Sequence, residues 1–278
     1  MTLREALLRG RHRPRLFGGG SPTSSRGDGY EFAQLRGYVP GDDTRRIDWA
    51  ATARSGVLQT RVMLEDIALV FAAICDRSRS MSLGRRRALA EAADDAIAAW
   101  FGAGSGEDRA IAILAHGPVP ERARAGREGA ALAREALRGE PEGVFDPNAL
   151  LDIAGATLPR GAALLVVTDA SAAERCDDVR LAEIARRFDG TFCLARDPWL
   201  EDFPLHGFAK LVDVESGERL LRWFGRRERD AYRRASIERE EGLLRRLRRC
   251  GWRTGILDES DGVGALAEAF GIPRGAFD

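Results

Sequence analysis

A loop that directly follows an apolar run carries one carboxylate and two hydroxyls at alternate positions. The sequence D-R-S-R-S places Asp76, Ser78 and Ser80 two residues apart, after the run I-A-L-V-F-A-A-I-C at residues 67–75. Alternate side chains of an extended segment project to the same side, so these three groups can converge on one point. Oxygen ligands suit a hard cation such as Mg²⁺ or another divalent ion. The spacing therefore predicts a candidate metal site. A simpler interpretation needs no metal, because a Ser that precedes a helix commonly caps its N-terminus.

Unbroken apolar runs alternate with amphipathic segments from residue 67 onward. The runs at 67–75, 162–170 and 190–197 are typical of strands buried on both faces, and helices are predicted over 85–102, 128–138, 147–157 and 226–251. This order indicates an α/β fold with a mostly parallel sheet and helices on both faces. In the helix over 85–102 we expect an inner face made by Leu89, Ala93, Ile97 and either Trp100 or Phe101. Three predicted strands end at an aspartate, namely Asp76, Asp169 and Asp197, where ligands of such sheets gather.

The D-x-S-x-S sequence after a buried strand resembles the metal-ion-dependent adhesion site of von Willebrand factor A-type domains. The resemblance implies a Rossmann-type fold in which Ser78 and Ser80 bind the metal directly and Asp169 supplies the ligand of a third loop. It also implies that an acidic residue of a partner fills a remaining position. The family has a Thr in a second loop, where this sequence offers Asp146 and Asn148. A site that only shapes the loop is the alternative to a working metal site.

The stretch before the first buried strand is dense in charge. Residues 37–56 read G-Y-V-P-G-D-D-T-R-R-I-D-W-A-A-T-A-R-S-G, between segments that predict an antiparallel ribbon over 30–66. No histidine, cysteine or lysine accompanies the acids, so a catalytic role is disfavoured. Arginine pairs with carboxylates through two prongs, which favours a structural ion network over direct contact with a partner. The residues assigned to the network are Asp42, Asp43, Arg45, Arg46, Asp48, Trp49 and Arg54. We expect Asp48 and Trp49 to be buried, with Arg45, Arg46 or Arg54 as ionic partners.

The same stretch resembles the signature of the bacterial family catalogued as domain of unknown function 58. The residues that carry the resemblance are Gly27, Asp28, Gly29, Tyr30, Glu31, Phe32, Leu35, Arg36, Tyr38, Pro40, Gly41, Asp42, Asp43, Arg45, Arg46, Ile47, Asp48, Trp49, Ala53, Arg54, Gly56 and Glu65. The later sequences D-P-W-L-E-D-F-P and D-V-E-S-G-E-R-L also fit the family. In this sequence Gly37 stands where the family commonly has an acid.

The resemblance implies a role more than a reaction. Family members are typically encoded beside MoxR-type AAA+ ATPases and are thought to act with them on client proteins. We therefore expect a non-enzymatic adaptor or chaperone-like partner of such an ATPase, which docks a partner through the loop at the strand ends. The alternative is a metal-dependent hydrolase that uses the same loop, but the motif loops contain no His or Glu to act as general base.

Composition and patterning limit the remaining classes. The 278 residues predict an N-terminal segment with the ribbon at 1–66 and an α/β domain at 67–278 that ends in a hairpin and a long helix. The balance of 43 basic and 43 acidic residues disfavours a general nucleic-acid binder, although the Arg-rich helix over 226–251 leaves DNA binding as a weaker alternative. That helix is interpreted as a solvated face over an apolar stripe of Ile237, Leu244 and Leu247, or else as a docking patch for an acidic partner.

The longest apolar run is too short to span a membrane, and we expect a cytoplasmic protein. Cys75 and Cys193 are expected to be small buried hydrophobes.

Overall fold

The structure is a computed structural model that describes residues 1–11, 31–64, 68–139, 145–200, 205–212 and 217–276. Contacts between residues divide the chain into two compact units. One unit is His12–Ala68, and the other consists of Met1–Arg11 and Leu69–Asp278. Residues 1–11 therefore belong to the larger unit, whereas the sequence grouped them with the ribbon.

The described residues form ten strands and nine α-helices. The strands are β1 (Glu31–Gly37), β2 (Gln59–Leu64), β3 (Val70–Cys75), β4 (Arg109–Leu114), β5 (Gly117–Ala125), β6 (Ala163–Asp169), β7 (Asp189–Ala195), β8 (Gly207–Val212), β9 (Arg219–Phe224) and β10 (Arg253–Leu257). The helices are α1 (Leu3–Arg11), α2 (Trp49–Ser55), α3 (Leu89–Gly102), α4 (Gly126–Arg138), α5 (Pro147–Thr157), α6 (Ala170–Arg175), α7 (Asp178–Arg187), α8 (Arg226–Arg249) and α9 (Gly262–Phe270).

A six-stranded sheet in the order β10-β7-β6-β3-β4-β5 forms the centre of the larger unit. All neighbouring strands in it are parallel except β4 and β5, which pair antiparallel at one edge. The chain winds outward from β3 in one direction and from β6 in the other, so the strand order reverses between β3 and β6. The predicted α/β fold class, with a mostly parallel sheet, is confirmed.

Side chains of alternate strand residues enter two separate apolar cores. Phe71 and Ala73 of β3 pack in one core with helices α1, α3, α4 and α9. Ala72 and Ile74 pack in the other with α5, α6, α7 and α8. This alternation explains why the strands read as continuous apolar runs, because both faces of the sheet are covered. The inner face predicted for α3 is confirmed, since Leu89, Ala93 and Ile97 are buried, and both alternatives for its last position, Trp100 and Phe101, are buried too.

Strand β5 and helix α6 were not predicted from the sequence. Strand β5 contains Pro118 and Pro120 and is mostly half-buried or exposed, so it has neither the apolar run of an inner strand nor a clear alternation. Proline cannot donate to a sheet ladder, which restricts such a strand to an edge. The predicted hairpin near the C-terminal helix is confirmed as the antiparallel pair β8–β9.

The smaller unit contains the antiparallel pair β1–β2, as predicted. A turn at Pro40-Gly41 is also confirmed, because the Asp42 amide donates to the Val39 carbonyl at 3.0 Å and Gly41 has a φ of 105°. Helix α2 lies where a continuous ribbon was expected. Asp48 caps its N-terminus and Gly56, with a φ of 70°, ends it, so a capping pair in the sequence was overlooked.

The cysteines and the apolar segments fit the expectations from the sequence. Cys75 and Cys193 are fully or almost fully buried, and burial raises the pKa of the Cys75 thiol to about 12. No helix among the described residues has the length and apolar character that crossing a membrane requires.

The Asp108 carboxylate holds α1 against the start of β3. It is 4% exposed and accepts hydrogen bonds from Arg4 Nε at 2.7 Å, the Leu69 amide at 2.7 Å and the Ser105 amide at 2.6 Å. Burial alone would raise the pKa of this carboxyl, but the bonds from Arg4, Ser105 and Leu69 outweigh burial and lower it. The ionised form is therefore part of the folded structure.

We predict that Asp108→Asn lowers the free energy of unfolding at pH 7 by about 3 kcal/mol, because the Arg4 charge loses its partner. A lowered carboxyl pKa stabilises the fold above the unfolded value of 3.8, and this contribution disappears as the pH falls through the folded value. Urea unfolding should therefore show the difference from the wild type shrinking below about pH 4. Asp152→Asn, which removes an exposed partner of Arg180, is the control and should change little. A constant difference across that pH range would contradict the assignment.

Candidate functional site

The candidate site lies at the point where the strand order of the large sheet reverses. Strands β3 and β6 are parallel neighbours there, with Cys75 opposite Val167. The Asp76 amide donates to the Val167 carbonyl at 2.8 Å, so the pairing continues one residue past β3. Asp76 and Asp169 consequently follow adjacent strand ends, at the kind of position where open α/β sheets bind ligands.

Asp76 is fully buried and its two carboxylate oxygens have different partners. Oδ1 accepts from the Ser78 amide at 2.8 Å, and Oδ2 accepts from the Thr168 hydroxyl at 2.5 Å. Burial raises the pKa of this carboxyl, and the charge of Asp169 adds to the increase, while the hydrogen bonds from Ser78 and Thr168 oppose it. The side chain thus fixes the loop to β6 and contributes negative charge beneath it.

The two serine hydroxyls lie next to each other. Ser78 Oγ is 3.0 Å from Ser80 Oγ, and Ser78 is 7% exposed. Ser78 also precedes a short 3-10 helix over Arg79–Ser82, but its side chain makes no capping hydrogen bond. Ser78 thus occupies the N-cap position, as the simpler interpretation has it, but its hydroxyl contacts that of Ser80 and caps no helix amide.

Asp169 is half-buried and begins α6. Its Oδ1 accepts from the Ala172 amide at 2.8 Å, which makes it the N-cap of that helix. No described residue donates to its second oxygen, Oδ2. One carboxylate oxygen of Asp169 thus holds the helix while the other is not engaged within the described part of the chain.

Thr168 is the residue of this site that the sequence analysis missed. It is fully buried in β6 and donates the hydrogen bond to Asp76 Oδ2. The available signal was a single hydroxyl in the otherwise aliphatic run A-L-L-V-V-T-D, one position beyond the residue opposite the end of β3. The hydroxyl becomes informative only when the register between β3 and β6 is known, because the register places Thr168 beside Asp76. That register cannot be read from the sequence.

The residues offered in place of the second-loop Thr have structural roles. Asp146 caps α5 by accepting from the amides of Asn148 and Ala149 at 3.0 and 3.2 Å. The Asn148 amide group donates to the Arg175 carbonyl at 2.8 Å, and its oxygen accepts from the Asp177 amide at 2.9 Å. Both side chains are therefore used to hold α5 and the segment between α6 and α7.

Arg77, between Asp76 and Ser78, anchors the loop from behind. Its guanidinium donates to the Leu137 carbonyl at 3.0 Å, to the Ala90 carbonyl at 3.3 Å and to Asp94. Its side chain is 11% exposed, in contrast to the exposed Arg79 two residues later. The loop is thus tied to both α3 and α4.

The third strand-end aspartate, Asp197, is used by helix α8. The Tyr232 hydroxyl donates to Asp197, and burial followed by this contact raises the pKa of the Tyr232 phenol. Arg239 of the same helix forms a two-pronged pair with Glu174 at 2.6 Å and donates to Ser171 at 3.3 Å. Helix α8 therefore lies along the carboxyl ends of β6 and β7.

Many of the arginines of α8 have partners within the larger unit. Arg246 pairs with Asp178 at 2.5 Å and donates to the carbonyls of Ala173 and Cys176, and Glu240 accepts two bonds from Arg196. Leu244 and Leu247 are buried as predicted, but Ile237 is 37% exposed because the buried stripe runs through Leu243 instead. The helix is therefore an integral part of the fold in its C-terminal half.

The charged residues of the ribbon act mainly as caps. Asp43 accepts from the Arg45 amide at 2.9 Å, and Asp48 accepts from the Ala51 amide at 2.9 Å. Within the described residues, Asp42 pairs with Arg36 at 2.6 Å and Asp48 pairs with Arg61 at 2.9 Å. Among the described residues, Arg45 and Arg54 have no ion pair, and the Arg46 carbonyl accepts from Thr60 at 3.3 Å. The partner of Asp48 is thus Arg61 rather than an arginine of the charged stretch.

Trp49 does not lie in a core. Its side chain is 67% exposed, so the expectation that it is buried is wrong. Trp49 occupies the first position of α2, directly after the capping Asp48, and the seven-residue helix buries Ala51 instead. Glu65, which also carries the family resemblance, lies outside the described residues.

The residues of the described structure limit the chemistry of this site. No group of three or more His, Cys, Asp or Glu among them is placed to hold a metal ion. The oxygen atoms that the loop and its neighbours provide are those of Ser78, Ser80, Asp76 and Asp169. Fold and site together define an α/β protein whose polar strand-end loop presents hydroxyls and carboxylates.

This chain belongs to the family described as "Protein of unknown function DUF58", whose pattern it matches over residues 34–242. It is 31% identical over 238 residues to uncharacterized protein Rv1480 of Mycobacterium tuberculosis (strain ATCC 25618 / H37Rv), and the match covers 81% of this chain and 73% of that protein. The same figures apply to uncharacterized protein Mb1516 of Mycobacterium bovis. Among solved structures it is similar to a von Willebrand factor type A protein from Catenulispora acidiphila, with 20% identity and a TM-score of 0.31 over 50% of this chain and 41% of the other.

We predict that Arg77→Ala lowers the free energy of unfolding by about 2 kcal/mol, since it removes three hydrogen bonds of a mostly buried charged group. Arg79→Ala is the matched control in the same loop and should stay within about 0.5 kcal/mol of the wild type. Chemical denaturation followed by circular dichroism measures both. Equal effects of the two substitutions would show that Arg77 does not anchor the loop.

We predict that substitutions of Asp48 and Trp49, which were both expected to be buried, differ in their effect on amide hydrogen exchange in α2. Asp48→Ala should accelerate amide hydrogen exchange in α2, because the helix loses both its cap and the pair with Arg61. Trp49→Ala should leave that exchange almost unchanged, because the side chain is mostly exposed. A stronger effect of Trp49→Ala would indicate that its indole is covered in solution.

Proposed function

We propose that this protein is a non-enzymatic adaptor that docks an acidic residue of a partner protein at the carboxyl ends of β3 and β6. A Mg²⁺ or similar divalent ion would mediate the contact, held by Asp76, Ser78, Ser80 and Asp169. The observation that carries the proposal is the 3.0 Å separation of the Ser78 and Ser80 hydroxyl oxygens beside two carboxylates at the strand-order reversal. Neighbouring ligands of an octahedral Mg²⁺ ion, with bonds of about 2.1 Å, are about 3 Å apart, so the hydroxyl spacing fits such an ion.

The carboxylates support the same assignment. The raised pKa of Asp76 reflects a buried negative charge that the protein only partly compensates, and a cation beside it would lower that cost. Asp169 has one oxygen beyond the one that caps α6. When bound, the ion would supply a positive charge with exchangeable positions that a carboxylate of the partner can fill.

The proposed docking needs no reaction. No histidine or glutamate belongs to the loop at residues 76–82, and the Thr168 hydroxyl is already bonded to Asp76. Asp76 and Arg77 would keep the loop rigid, so that the hydroxyls are held in place before a partner arrives. We further propose that the partner system includes a MoxR-type AAA+ ATPase and its client proteins in the cytoplasm, which rests on the family resemblance alone.

The metal assignment predicts a loss of Mg²⁺ binding in Asp76→Asn. This substitution keeps the shape of the side chain and its ability to bond with Ser78 and Thr168, but removes the charge that attracts the ion. Titration calorimetry with MgCl₂ should give binding heat for the wild type and at least about a tenfold weaker affinity for the variant. Asp152→Asn, an exposed carboxylate of α5, serves as the control and should bind as the wild type does.

Three results would overturn parts of the proposal. Equal heats for the wild type and Asp76→Asn would remove the metal site but leave an adaptor role standing. Mg²⁺-dependent phosphatase or nuclease turnover that is lost in Asp76→Asn would replace the adaptor by a hydrolase. If a MoxR-type ATPase from the same genome binds equally with Mg²⁺ and with EDTA, the ion does not mediate that contact.

A further inference from the structure

The outer face of the β8–β9 hairpin is apolar. In the register of the two strands, Phe208 lies opposite Trp223, Lys210 opposite Leu221 and Val212 opposite Arg219. These six residues share one side of the hairpin, since directly opposed residues of an antiparallel pair point the same way. We call this side the hairpin face.

The hairpin face departs from the pattern expected for a surface hairpin, although the opposite face is also mostly apolar and its Leu220 is 57% exposed. A hairpin that covers a protein normally turns polar residues to water and apolar residues inward. Here Phe208 is 74%, Leu221 69%, Val212 53% and Trp223 52% exposed, whereas Phe224 on the other face is buried. The rings of Phe208 and Trp223 stack edge to face with centroids 5.0 Å apart. Four large apolar side chains are therefore held together in water at the surface of the larger unit.

The polar residues of the hairpin face are both cations. Lys210, the single lysine of the chain, and Arg219 are exposed and sit diagonally across the two strands. Neither forms an ion pair with any residue that the structure describes, and the face contains no acid. Arg239 and Arg246 of α8, in contrast, are paired within the fold, although Arg227 and Arg233 of that helix form no ion pair with a described residue.

We infer that the hairpin face is a docking surface for an extended acidic segment of a partner protein, in which carboxylates alternate with aliphatic side chains. An alternating segment can place its aliphatic groups on Leu221, Val212 and the stacked aromatics while its carboxylates meet Lys210 and Arg219. Tryptophan and arginine are the residue types on which binding energy most often concentrates. This surface is separate from the strand-end loop and requires no metal ion.

Two other occupants fit the charges less well. A second copy of the same face would bring Lys210 and Arg219 against like charges, which costs binding energy. Each basic residue contributes only about 1 kcal/mol to binding at an anionic membrane. Polybasic membrane anchors therefore use more basic residues than the two on this face. The pair of cations within an apolar patch is thus better matched to a pair of carboxylates on a peptide.

The test uses fluorescence anisotropy of a labelled peptide of alternating glutamate and leucine, titrated with the full chain in EDTA. The wild type should bind this peptide at least about tenfold more tightly than an arginine–leucine or a glutamate–serine peptide. Lys210→Glu combined with Arg219→Glu should reverse the preference toward the arginine–leucine peptide. Trp223→Ser should abolish binding without a large change in melting temperature, because the side chain is half exposed. Arg233→Glu on α8 and Val179→Ser on α7, which alter exposed residues elsewhere, should bind as the wild type does.

Other outcomes would overturn the inference. Equal affinity for the acidic and basic peptides, or no binding of any of them, would exclude an acidic segment as the occupant. Flotation with phosphatidylcholine–phosphatidylserine vesicles that is lost in Trp223→Ser would assign the face to a lipid surface. Self-association in sedimentation equilibrium that is lost in the same variant would assign it to a second copy. Asp76→Asn should leave peptide binding intact, so failure of the metal site and failure of the hairpin face are distinguishable.

Discussion

The hydrogen bonds of the buried Asp76 carboxylate are the interaction on which the geometry at the carboxyl ends of β3 and β6 depends. A carboxylate without partners in a protein interior is strongly unfavourable, so both of its oxygens must be satisfied by hydrogen bonds. One bond comes from the Ser78 amide within the loop and the other from the Thr168 hydroxyl on the neighbouring strand. These two bonds connect the backbone path after β3 to the end of β6, and the path determines where the Ser78 and Ser80 hydroxyls lie. Burial raises the pKa of this carboxyl and the two bonds offset that effect only in part, so a nearby cation would be favourable.

The sequence specifies the central sheet better than its periphery, for a physical reason. Strands β3, β6 and β7 are covered on both faces, so nearly every residue is apolar and the run is visible without knowing its neighbours. Strand β5 lies at an edge, where prolines and exposed side chains are tolerated, and it leaves no such run. Helix α2 depends on one cap and one C-terminal glycine over seven residues, which a period-based prediction overlooks. At the site, Asp76, Ser78 and Ser80 could be selected from spacing alone, whereas Thr168 acquires its role only from the register of β6 against β3.

Trp49 shows how charge density can mislead. Because Trp49 stands among aspartates and arginines, it was expected to be buried within a structural ion network. The aspartates instead satisfy amides at the ends of short helices, since such amides have no partners within the helix. Asp48 also pairs with Arg61 on β2, and Asp42, which accepts from the Val39 amide in the turn, pairs with Arg36 on β1. The charges thus stabilise local turns and caps, and no apolar enclosure is needed around the indole.

The balance of 43 basic and 43 acidic residues hides a difference in how the cations are used. Arg77, Arg239 and Arg246 each bond to carboxylates or carbonyls of other elements, so their charges serve the fold. Lys210 and Arg219 stand among exposed apolar side chains and have no ionic partner in the described part of the chain. An internally paired arginine gains little from a partner protein, because the existing pair would have to break first. An unpaired cation beside apolar surface can gain both charge pairing and burial when an acidic segment binds. A docking surface is therefore expected where the cations are not already paired within the fold. The hairpin face meets that condition better than the arginines Arg239 and Arg246 of α8.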